Sequence, residues 1–155
     1  MSTALNTKKE IIVATVLLLI TAVFSLLNFS SISVKPNIFL VVIIVASLLI
    51  ETWYVYFGFI LAELIWLKFT PFFLPEYGIL FIISLIVFAL VHIFIFSKTR
   101  IIRIFLLVLF QMIFWLLLQA GQNILSLVFF LELIYNVIAV ELLYAFASWL
   151  KKTLF

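Results

Sequence analysis

The sequence has no cysteine and no aspartate, and only three glycines, three prolines and one histidine in 155 residues. Without thiols there is no disulfide, no zinc–thiolate or iron–sulfur site and no cysteine nucleophile. Without aspartate a Ser-His-Asp triad lacks a member, and the lone His92 has no H-E-x-x-H neighbour with which to build a zinc protease. Collagen-like and low-complexity classes fail on glycine and proline content. Charge is scarce as well, at 10% of residues, whereas 69% are hydrophobic, against roughly 45–50% in a soluble domain. That excess excludes a water-soluble fold and predicts a single all-α integral membrane domain over 1–155.

The apolar residues are gathered into runs. Ile11 to Phe29 is long enough to cross a hydrocarbon core of about 30 Å, and although Lys8 and Lys9 precede it as in a signal peptide, no A-x-A-like cleavage site follows. Ile38 to Leu67 would make about 45 Å of helix, too long for one upright span. Glu51-Thr52 interrupts it, and Trp53, Tyr54 and Tyr56 form an expected interfacial aromatic cluster. Two short helices are therefore expected, over 38–51 and 55–69, followed by spans over 77–96, 101–118 and 124–150. The connections hold the breakers: Lys35-Pro36 before the second span, Pro71 and Pro75 before the fourth, and Gly121-Gln122-Asn123 before the sixth.

A compact bundle of about six transmembrane helices with a cytoplasmic N-terminus puts Lys8, Lys9, Lys98, Arg100, Arg103, Lys151 and Lys152 inside, leaving Lys35 and Lys68 outside. This is the asymmetry that the positive-inside rule predicts, and it places the C-terminus in the cytoplasm too. The net charge of +3 is thus topology information rather than a nucleic-acid signal. The Lys98/Arg100/Arg103 cluster fixes orientation on one reading, and on another attracts anionic lipid or a protein partner.

Ionisable groups inside a membrane are costly, so they mark places to look for function. Gly58-x-x-x-Ala62 has the small-residue spacing that lets another helix approach closely, and with the adjacent Glu63 it forms a candidate partner-contact face. Alternatively, Glu63 snorkels toward the outer headgroups. Glu132 and Asn136 are four apart and share one face of the last span, while Glu141 points elsewhere. Internal packing between helices is the expected role of this set, with His92 and Gln111 as polar company. No arrangement positions two carboxylates together, so neither catalysis nor a metal or cofactor site is expected. No span carries the polar stripe of a water-filled pore.

In layout the chain resembles the bacterial rod shape-determining protein MreD family. Lys35-Pro36-Asn37 matches the Pro-Asn or Pro-Asp pair that opens that family's second span. Gly58-Phe59-Ile60-Leu61-Ala62 compares with its G-F-x-x-G-x-x-x-D pattern, and Tyr135-Asn136 with Trp149-Leu150-Lys151-Lys152 compares with its Asn-bearing, basic-ended last span. The second glycine of the pattern is Ala62 here, and the acidic position falls on Trp66, with Glu63 three residues before it. The resemblance implies a non-enzymatic, multi-pass scaffold subunit of the cell-elongation and peptidoglycan-synthesis machinery in the cytoplasmic (inner) membrane. Its expected partner is an MreC-like single-span protein and, through it, the wall-synthesis enzymes and the MreB filament.

The same layout resembles the six-helix substrate-binding subunits of energy-coupling-factor vitamin transporters, which makes uptake of a small molecule the competing reading. Trp53, Glu63 and Trp66 would then line an outward pocket. Those subunits present an A-x-x-x-A face in their first span, whereas Ala14 and Ala22 are eight apart here, and no two alanines in the chain are separated by four.

Overall fold

The computed structural model describes residues 2–26, 37–67, 74–94, 99–119 and 126–153. Among these residues the chain is all helical: α1 (Ser2–Leu26), α2 (Ile38–Leu49), α3 (Trp53–Leu67), α4 (Leu74–Phe94), α5 (Arg100–Gln119) and α6 (Leu127–Thr153). Each expected run therefore forms one helix. Two ends differ. The first helix begins at Ser2 rather than at the apolar run, and α4 begins at Leu74, so that Pro75 and Glu76 belong to its first turn. Proline is suited to that position because its missing N–H would find no intrahelical partner there.

α2 lies at the centre. It packs against all five other helices, which close a ring around it in the order α1, α3, α4, α5, α6 and back to α1. Its sequence, IFLVVIIVASLL, explains this position, since apolar residues occupy every face and every residue from Ile38 to Leu49 is buried. A helix apolar all round needs partners all round. Val and Ile crowd α2 and lower its intrinsic helix propensity, so its helicity comes from enclosure: only intra-segment hydrogen bonds can satisfy its backbone there. Its one hydroxyl, on Ser47, turns back to Ile44 O at 2.8 Å.

The outer ring is apolar on its outside as well as within. Leu19 on α1, Leu61 and Ile65 on α3, Ile82 and Ile86 on α4, Phe105 and Leu117 on α5, and Ile134 and Leu142 on α6 are all exposed. Among the described residues, two helices are long and apolar enough to cross a membrane, over Arg100–Leu117 and Leu127–Thr153. At 12 residues, α2 is only about 18 Å long, short of a hydrocarbon core.

Candidate functional site

Among the described residues, the charged and amide side chains inside this bundle form four groups. The first repairs the break between α2 and α3. Ile50 ends α2 in extended conformation, which leaves carbonyls at the end of α2 and N–H groups at the start of α3 without intrahelical partners. Glu10 of α1, wholly buried, accepts from Glu51 N (3.2 Å) and Thr52 N (3.0 Å) and also from Asn6 Nδ2 (3.1 Å). Lys151 of α6 donates to Leu49 O at 2.6 Å, with its Nζ 3.7 Å from Glu10 Oε1 and 4.0 Å from Glu51 Oε1. An acid thus meets the positive end of α3 and a base the negative end of α2, each sign matching the helix dipole. Glu10 carries no sequence signal beyond standing beside Lys8-Lys9, and its main partners are backbone groups, so sequence reading misses it.

The second group joins α2, α5 and α6. Asn37 caps α2, its side chain accepting from Leu40 N. The Asn37 N–H donates to Asn136 Oδ1 (2.8 Å), and Asn136 Nδ2 donates to Gln111 Oε1 (3.0 Å). Because a backbone N–H can only donate, it fixes the direction of this chain and leaves Gln111 Nε2, also buried, as a donor without an acceptor. One turn before Asn136, Glu132 accepts from Trp115 Nε1 at 3.1 Å. Glu132 and Asn136 share a buried face of α6.

Glu141 belongs to a third group on α5 and α6. Arg103 grips it bidentately, with Nε at 3.0 Å from Oε1 and Nη2 at 2.6 Å from Oε2, while its guanidinium lies 4.1 Å from the centre of the Tyr144 ring. Arg100 is more distant, at 3.9 Å from Glu141, and its side chain is 74% exposed. Of the expected basic cluster, Arg103 is therefore engaged within the bundle and Arg100 reaches outward; Lys98 lies outside the described residues, as do Lys35, Pro36, Lys68, Pro71 and the 121–123 connection.

The fourth group is Glu63. It is 4% exposed, neither carboxyl oxygen has a hydrogen-bond partner, and it borders a small cavity lined by Phe39, Ile43, Ile60, Leu64 and Leu80. Gly58, by contrast, is exposed, and an added Cβ there would meet no atom within 4 Å. Ala62 is half-buried. The three residues expected on one partner-contact face therefore divide, because five residues of helix turn Glu63 about 140° away from Gly58. Gly58 and Ala62 remain on the outer side and Glu63 faces the core.

The aromatic cluster divides in the same way. Trp53 and Tyr54 are exposed, but Tyr56 is buried, donates to Ser84 O at 3.0 Å and stacks on Phe88, which in turn contacts the exposed His92 ring. Among the described residues no three His or Glu side chains gather as a metal site would require. No family model, curated protein or solved structure matches the chain.

Proposed function

We propose that this chain is a multi-pass protein of the bacterial cytoplasmic membrane. On this reading it is a non-enzymatic scaffold subunit of the cell-elongation, rod-shape and peptidoglycan-synthesis complex, acting through lateral helix contacts with an MreC-like single-span partner. The apolar exterior of the five-helix ring supports insertion in lipid, since soluble monomers rarely expose such continuous apolar surface. The observation that carries the scaffold reading is Gly58: nothing inside the molecule needs a glycine there, yet a helix-interior glycine costs stability, and with Ala62 one turn on it leaves a shallow outer site for another helix. The cavity beside Glu63 has a volume of about 10 Å³, far below the roughly 300–1,000 Å³ of small-molecule sites, so Glu63 does not line such a site at this cavity.

Copurification from native membranes tests the proposal. A single-span partner captured by the wild-type chain and lost on Ala62→Leu, with insertion unchanged, is the expected result. A tightly held small molecule detected by mass spectrometry in place of that partner would overturn it.

A further inference from the structure

Among the described residues, Glu63 is a buried side chain that stands in no ion pair and whose two carboxyl oxygens lack a hydrogen-bond partner in good geometry, the Thr21 hydroxyl being the polar group beside it. Its surroundings do not compensate. The adjoining cavity is walled by Phe39, Ile43, Ile60, Leu64 and Leu80 and has room for about one water-sized particle. Thr21 of α1 lies beside the carboxyl, but its single hydroxyl hydrogen points to Leu17 O at 3.0 Å, and in that rotamer Thr21 turns oxygen lone pairs to Glu63.

The helices packed against α3 are α1, α2 and α4. Among their described side chains and those of α3 itself, the other titratable groups are Lys8, Lys9 and Glu10 on α1, Tyr54 and Tyr56 on α3, and His92 on α4, with none on α2. The basic residues of α1 precede Thr21 by 12 positions or more, about 18 Å along the helix. His92 follows Leu80, in the cavity wall, by the same number of positions.

Among the described residues no side-chain cation is therefore at hand to balance a carboxylate. A metal ion is no substitute, because calcium or magnesium asks for about six oxygen ligands and this slot offers the two carboxyl oxygens and one hydroxyl. An ionised, unpaired carboxylate in apolar surroundings costs far more than a marginally stable fold can spare. The group that fits is the smallest cation, and it supplies the missing donor as well. A carboxylic acid O–H has a complementary partner in Thr21 Oγ1, whose own hydrogen continues the chain to Leu17 O.

We propose that Glu63 is a proton-binding site, carrying an acid proton within the bundle and directing it to Thr21 of α1. The proton then serves as the tie between α1 and α3 at this depth, and its loss would leave two buried acceptors facing each other. The site lies on the inner side of α3 and is independent of the scaffold reading, which rests on the outer side.

The full-length protein in liposomes provides the test. Infrared spectroscopy should show a carboxylic-acid carbonyl band that shifts in heavy water, disappears in Glu63→Gln and moves in Thr21→Val as the acceptor is removed. Glu63→Gln is the conservative variant, since its amide N–H can donate to Thr21 in the proton's place, and it should insert and fold as the wild type does. Dicyclohexylcarbodiimide reacts with the acid form: the proton passes to a carbodiimide nitrogen, the carboxyl oxygen adds to the central carbon, and the adduct rearranges to an N-acylurea without losing an atom. The peptide bearing Glu63 should gain that mass, and should gain none from a water-soluble carbodiimide. A wild-type spectrum identical to that of Glu63→Gln in the acid-carbonyl region would overturn the proposal, and a band unmoved in Thr21→Val would overturn the role given to Thr21.

Discussion

Glu10 and Lys151 come from opposite ends of the chain and stand 3.7 Å apart at the break between α2 and α3. Each is bound to the break more firmly than to the other, Glu10 through two N–H donors and Lys151 through the Leu49 carbonyl. The pair therefore closes the ring by joining α1 and α6 to the central helix.

Glu10→Ala should be among the most destabilising single substitutions, by about 3 kcal/mol, since it strands two backbone donors and leaves Lys151 near Glu51 alone. Lys151→Met should cost less, because the methionine keeps the apolar stem. Thermal unfolding of the detergent-solubilised protein measures both, and the double variant should fall short of the sum by about 0.5–3 kcal/mol if the two act as one unit. Strict additivity would contradict the coupling.

The amide chain through Asn136 has a direction, and this separates two substitutions of similar size. Asn136→Leu removes the acceptor of the Asn37 N–H and the donor to Gln111, and should cost about 1–3 kcal/mol. Gln111→Leu removes one bond too, but also eliminates the unpartnered Nε2, so it should cost clearly less. An equal loss of melting temperature for the two variants would argue against the assigned direction. Simultaneous apolar replacement of Glu132 and Asn136 should lower stability further, whereas an unchanged melting curve would remove this face from the packing of the bundle.

How far the sequence anticipates this molecule depends on the range of the interaction concerned. Six helices were legible because apolar runs end at polar or breaker residues, and the break near Glu51-Thr52 followed from a length limit alone. The central position of α2 was not expected from the sequence, although its being apolar on every face accounts for it, and the order of the ring helices is a matter of long-range packing that no local pattern records. Glu141 read as a membrane-embedded acid and Arg103 as a cytoplasmic base, and nothing in 38 positions of separation says that they meet. Glu63 stood out as an acid within an apolar run, expected either on a partner-contact face or snorkelling to the headgroups, and it is buried in the bundle. Its side of the helix was not legible, because α3 is apolar on most of its surface and shows no amphipathic pattern to orient it.

Glu141, which Arg103 of α5 grips, lies ten positions before Lys151 on α6, about 15 Å along that helix, and both side chains of the pair are largely withdrawn from the surface. Removing one partner leaves the other charge uncompensated, so Glu141→Leu and Arg103→Leu should each destabilise by about 3 kcal/mol. The double leucine variant should recover most of that loss. Lysine is a poor replacement for Arg103, because a point charge cannot reproduce the two-pronged grip or the contact with the Tyr144 ring. Unfolding midpoints of the four variants decide the matter, and a double variant as unstable as the worse single would show that the pair contributes more than mutual neutralisation.

Gly58 separates the needs of the fold from the needs of a partner. A methyl group at this position meets no atom within 4 Å, and alanine is favoured over glycine in a helix by about 0.5–1 kcal/mol. Gly58→Ala should therefore raise the melting temperature of the isolated protein. Gly58→Leu should also insert and fold, because its side chain projects away from the bundle, but it fills the shallow site that Gly58 and Ala62 leave on the outer side of α3. Capture of a single-span partner should then be lost from a protein whose melting curve is intact. Should Gly58→Leu lower stability and leave capture untouched, the glycine would belong to the fold, and the lateral contact would have to be sought on another helix.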